Sequence, residues 1–100
     1  MELNNEFKPI RDWALEKGIY KEGDIKTQYL KLMEEAGELA NAIIENDKEE
    51  IKDAIGDMSV VLTSIAYFNG TSIEDSINSA YEIISKRKGK MINGSFVKNN

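Results

Sequence analysis

The sequence predicts an all-α fold, a four-helix, bundle-like protomer that ends in a short tail or hairpin. Three observations predict it. Apolar residues recur at three- and four-residue spacing through most of the chain. β-Branched alternation is scarce, and the single proline falls where a helix can begin. Glycine and Asn-Gly punctuation cuts the pattern into four segments with short joins, which makes neighbouring helices mostly antiparallel.

The first helix is expected over about residues 6–17. Asn5 caps it, Pro9 sits in the first turn where a missing N–H matters little, and Gly18 stops it. The second begins after Asp24 and covers about 25–45, with an apolar stripe of Ile25, Leu32, Ala36, Leu39, Ala40 and Ile43. Asp47 and Glu50 resemble a capping box for a third helix over 48–68, ended by Asn69-Gly70. Thr71 and Glu74 make a second such box for a fourth helix over 72–88, running through Ile73, Ile77, Ala80 and Ile84 to a stop at Gly89. Residues 89–100 form the tail, where the Asn93-Gly94 turn signal makes Met91–Val97 a small hairpin or an extended segment.

One hundred residues make one domain, spanning 1–100, or one protomer of something larger. A chain of this size buries roughly 60–70% of its unfolded surface. A homodimer or homotetramer would enlarge that modest core. With 41% hydrophobic and 31% charged residues the chain is too apolar for disorder. No apolar run approaches the roughly 18 residues of a membrane span and no leader pattern is seen, so a cytoplasmic protein without a membrane partner is expected. The net charge of −5 argues against a nucleic-acid-binding face.

The chain has no cysteine and no histidine. That excludes disulfides, a thiolate nucleophile, zinc–sulfur sites and an imidazole base. General-base work and metal binding fall to Asp, Glu, water, Lys or Tyr, and carboxylate-only sites suit Mg²⁺, Mn²⁺ or Ca²⁺.

In "KLMEEAGEL", residues 31–39, three carboxylates share a helix with a glycine. Like charges at this spacing repel, and glycine costs a helix interior about 1 kcal/mol. Glu34 and Glu38 lie about 40° apart and Glu35 and Glu38 about 60°, on an arc nearly opposite the apolar stripe. A solvated acidic face is one reading; a cation site is the other. The third helix bears on the choice. From Ala54 to Ile73 the only charged side chain is Asp57, at the border of the apolar arc and one turn after Asp53. A partly buried carboxylate there needs a partner, either a metal ion or a lysine from another helix. Gly37 and Gly56 sit beside these acids, where a glycine marks close approach of a backbone or ligand, or simply loose packing. Lys86, Arg87, Lys88 and Lys90 exceed what a helix dipole needs, and with an acidic site they suit a polyphosphate substrate.

"KLMEEAGELANAI" and "DAIGDMSVVL" resemble the two motif helices of the MazG-like family of all-α nucleoside triphosphate pyrophosphohydrolases, and "RKGKMINGSFV" resembles the ending of its short phage-type members. The likeness covers roughly residues 28–97. It implies Mg²⁺-dependent hydrolysis, with Mn²⁺ as an alternative, of (deoxy)nucleoside triphosphates to monophosphate and pyrophosphate. The resemblance makes Glu35, Glu38 and Asp57 metal ligands with Asp53 in support, and Glu34 the residue that orients or deprotonates the attacking water. Lys86, Arg87, Lys90 and Lys31 are then phosphate-binding candidates, and Trp13 and Tyr29 base-stacking candidates. Trp13 also fits the apolar side of the first helix with Ile10, as core. The family's EExxE motif is complete here, but Ala54 stands where its second motif has glutamate, so Asp53 is the nearest acid. The family's Lys and Asn on the last helix are Ile83 and Tyr81. Two alternatives stay open: phosphoribosyl-ATP pyrophosphohydrolase, and a non-catalytic helical binding or scaffold protein with a degraded metal site.

Overall fold

The computed structural model describes residues 1–99. Five helices precede a β-hairpin: α1 (Lys8–Glu16), α2 (Ile19–Glu22), α3 (Ile25–Ile44), α4 (Lys48–Phe68), α5 (Ile73–Ile84), β1 (Gly89–Ile92) and β2 (Ser95–Lys98).

Local chemistry sets most of these boundaries. Asp24 Oδ1 accepts the Thr27 N–H at 2.8 Å to open α3, and Asp47 Oδ1 accepts the Glu50 N–H at 3.1 Å to open α4. Asn46, at φ 56°, reverses the chain between them. Gly18, at φ 82°, ends α1 as expected. Asn5 does not cap α1: it holds φ 65° and only its carbonyl accepts, from the Lys8 N–H, so the helix starts at Lys8 without a side-chain cap. The one-turn helix α2 was not expected. It forms because Tyr20 stacks on Tyr67, ring centroids 3.7 Å apart, and meets Phe68 edge-on.

The last helix differs from the prediction at both ends. Its cap is Ser72, whose Oγ accepts the Asp75 N–H at 3.1 Å, and not Thr71. It stops at Ile84 and not at Lys88, because the hairpin claims the residues beyond: the Lys88 carbonyl accepts the Asn99 N–H, extending the ladder from Gly89↔Lys98. Gly89 therefore begins a strand, at a spot where a Cβ would strike the Val97 carbonyl and the Phe96 ring. Asn93 and Gly94, both at positive φ, close the two-residue turn, so the hairpin and not an extended tail is formed.

Helices α3 and α4 form the main antiparallel pair; α1 and α5 pack on α4, and α2 packs on both α1 and α4. The bundle is thus open on one side: among the described residues no third helix covers α3, and the hairpin stands off the helices except where Phe96 walls a cavity with Ile84 at the end of α5. The buried apolar side chains are Ala14, Ala42, Ala54, Val61 and Ala66, mostly small ones. The radius of gyration is 15.9 Å, against about 13 Å for a compact chain of this length. No described helix is long and apolar enough to cross a membrane.

Candidate metal centre

Ala42 and Ala54 are buried where α3 meets α4, with Leu32, Ala36 and Leu39 half-buried around them. Small side chains let the two helices close on each other, and the packed side of α3 includes Glu35, only 6% exposed. The acidic arc therefore does not lie opposite the packed face. Packing through Glu35 and Ala42 rotates α3 so that Ile25 and Ile43, expected in its stripe, face outward.

Glu35 Oε1 lies 3.8 Å from Lys31 Nζ, and Oε2 is buried without a hydrogen-bond partner. Burial raises the proton affinity of Glu35 most, the neighbouring Glu38 carboxyl adds to it, and Asp57 from α4 adds again; Lys31 opposes them. The fold thus brings Glu35, Glu38 and Asp57 into one electrostatic group across two helices. Among the described residues no three carboxylates already converge on one ion position. Glu38 and Asp57 are exposed and free to turn.

That exposure corrects the expectation that Asp57 is partly buried. Helix α3 packs over Ala54 and Val61, and Asp57 sits about 60° around α4 from Ala54, on the flank. Asp53 is exposed on the same flank one turn earlier. Glu34 is exposed, its carboxylate 4.0 Å from Lys31 Nζ. Lys31 therefore joins the cluster, bridging toward two of its glutamates.

Trp13 is not core. It is 46% exposed and, with Pro9, Ile10 and Val60, walls an open cavity of about 400 Å³ whose one charged lining residue is Asp57. Tyr29 is exposed about 180° around α3 from Glu38, so the chain does not bring it to the carboxylates. Lys86, Arg87 and Lys90 are also not brought there. Lys86 reaches Glu82 at 3.9 Å, and Lys90 lies in the hairpin. Among the described residues, nothing beyond their own helix backbone comes within 4 Å of where a Cβ would stand on Gly37 or Gly56, so no neighbouring element closes on them.

One pair escaped sequence reading. Arg11 donates from Nη1 and Nη2 to the two oxygens of Glu74, at 2.6 and 2.8 Å, tying α1 to α5. The hydrogen bonds from Arg11 hold the Glu74 carboxyl below its ordinary pKa, and Glu74 raises that of Arg11. Its only trace in the sequence is an arginine beside Ile10 and one turn before the buried Ala14.

Residues 24–92 match the MazG nucleotide pyrophosphohydrolase domain. The chain is also 37% identical over 68 residues to an uncharacterised 18.2 kDa protein from the rep-hol intergenic region of Haemophilus phage HP1. That alignment takes in 68% of this chain and 42% of the phage protein, so the chain spans less than half the length of the relative it matches. No solved structure matches the chain. With both motif helices and the hairpin's first strand inside the matched segment, the chain belongs to the MazG nucleotide pyrophosphohydrolase family.

Proposed function

We propose that the chain hydrolyses (deoxy)nucleoside triphosphates between the α- and β-phosphates, releasing monophosphate and pyrophosphate. The observation that carries this reading is Glu35: a carboxylate buried between two helices, with one oxygen unpartnered and two more carboxylates acting on it. Such a group needs a cation that the chain supplies only through an exposed lysine at 3.8 Å. Glu35, Glu38 and Asp57 offer hard oxygen donors, the set that suits Mg²⁺ or Mn²⁺. Asp53 gives support in place of the family glutamate. Ala54 is fully buried beneath α3, and the acid nearest to it in the chain is Asp53.

When bound, the ion supplies neutralisation of the triphosphate oxygens and a more acidic attacking water. The chain's own residues do the rest. Glu34 accepts the water's proton or orients it, Lys31 neutralises phosphate from the same helix, and the Trp13 cavity beside Asp57 takes the base. Lys86, Arg87 and Lys90 meet the leaving pyrophosphate. The protomer works as a homo-oligomer: its accessible surface is 7,656 Å², against roughly 5,700 Å² for a compact monomer of this mass.

The test is pyrophosphate release from a panel of standard and modified NTPs and dNTPs, and phosphoribosyl-ATP, with Mg²⁺ and with EDTA. Turnover that needs the metal and vanishes in Glu38→Gln and Asp57→Asn supports the proposal. Silence from folded wild-type protein across the panel overturns it in favour of a binding module.

A further inference from the structure

The last part of the chain differs from the rest in charge and in packing. Residues 86–98 carry Lys86, Arg87, Lys88, Lys90 and Lys98 and no carboxylate, whereas the preceding residues hold all 18 carboxylates against eight cations. Arg87, Lys88, Lys90 and Lys98 form no ion pair among the described residues, whose salt bridges end at Lys86 with Glu82. Among the described residues the hairpin's backbone packs on no helix; of its side chains, Phe96 walls a cavity with Ile84 at the end of α5 and with Arg87. Both of its faces are apolar as well as basic: Met91 pairs across with Phe96, and Lys90 with Val97, all exposed. A lone two-stranded hairpin is marginal in water. Its free edges and apolar side chains ask for a surface.

We propose that this hairpin is an arm that lies on a second copy of the chain, bringing Arg87 and Lys90 to that copy's Glu34, Glu38 and Asp57. Charge complementarity selects the occupant. A nucleic acid would meet the arm but be repelled by the strongly acidic remainder, while a second copy offers the arm an acidic face and an uncovered α3. Area agrees: the surplus of roughly 1,900 Å² over a compact monomer exceeds the ~800 Å² per partner of a stable interface. The arm then completes the site in trans, which rests on the hydrolytic reading only for what those cations grip, the outgoing phosphates.

The absence of cysteine makes the test direct. Arg87→Cys and Glu38→Cys, both at exposed positions, are mixed and treated with a short bis-maleimide; neither step needs nucleotide, so the result stands whether or not turnover is found. The expected product is a linked pair containing one chain of each variant, in excess over either variant alone. The Glu38→Cys/Arg87→Cys double variant should likewise link between chains. A link formed within one chain, or no link at all, overturns the proposal. Where turnover exists, Glu38→Gln mixed with Arg87→Ala/Lys90→Ala should recover roughly a quarter of wild-type rate, since half the dimers are mixed and one site of two is intact. A cis arm recovers none.

Discussion

Glu35 and Glu74 are both 6% exposed, sit on helices that pack against α4, and have opposite electrostatics. Glu74 is met by both Arg11 nitrogens and its pKa falls; Glu35 has an unpartnered oxygen and a distant lysine, and its pKa rises. Burial alone therefore does not say what a carboxylate is for. A charge that the fold itself neutralises ties elements together, whereas one that the fold leaves short of a partner is held ready for something outside the chain.

The largest break in the comparison comes from making each glutamate a glutamine. Glu35→Gln should abolish turnover by more than about 100-fold, beyond what loss of a metal ligand's outer partner causes. Its stability without metal should be unchanged or raised by up to about 1 kcal/mol, because an uncompensated buried charge is removed. Calorimetry beside the pyrophosphate assay reads both. A Glu35→Gln protein that unfolds more readily without metal would place Glu35 with the structural acids.

Glu74→Ala should cost about 3 kcal/mol, leaving Arg11 partly buried and unpaired. Urea unfolding measures it, and a loss below about 1 kcal/mol would reduce the pair to a surface contact. Acid sharpens the same point. The folded-state pKa of Glu74 is lowered, so its stabilisation is complete above the unfolded value of about 4.3 and is lost as pH falls through the folded value. Glu35 acts with the opposite sign, but it is common to wild type and Glu74→Gln and cancels in their difference. The stability gap between those two proteins should therefore shrink as pH falls below about 4.3; a gap constant down to acid unfolding would refute the pairing.

Metal should separate the two carboxylates again, by a smaller amount. At ten times its Kd, Mg²⁺ adds about 1.4 kcal/mol to a protein that binds it only when folded. The melting temperature of wild type and of Glu74→Gln should rise accordingly, and that of Glu35→Gln should not.

What was legible in the sequence was what neighbours decide. Asp24 and Asp47 cap their helices through N–H groups three residues away, and Asn93-Gly94 fixes its turn by its own φ angles. The cluster of Glu34, Glu35 and Glu38 was legible for the same reason. What failed depends on distant partners. The stripe of α3 could not say through which side α4 packs, so the burial of Glu35 and the exposure of Asp57 went unseen. Tyr20 needs Tyr67 to make α2, and the last helix yields Lys88 to a ladder with Asn99. Arg11 and Glu74 are 63 positions apart.

Glu74 also shows how one residue can fit two roles on paper. Read locally, Thr71 with Glu74 three residues later is a capping box; in the fold, Ser72 takes the cap one position on and Glu74 is spent on Arg11. The two assignments predict different small losses. Ser72→Ala should cost about 1 kcal/mol, the usual worth of an N-cap hydroxyl. Thr71→Ala, at an exposed residue before the cap, should cost almost nothing. The decisive measurement is a double-mutant cycle between Ser72→Ala and Glu74→Gln. If Glu74 serves α1 and not the cap, the two losses add, since the hydroxyl binds the Asp75 N–H and shares no hydrogen bond with the carboxylate. Coupling above about 0.5 kcal/mol would mean that the cap and the ion pair hold the start of α5 as a unit. The contrast with Glu35 would then lie in the whole α1–α5 junction and not in a single pair.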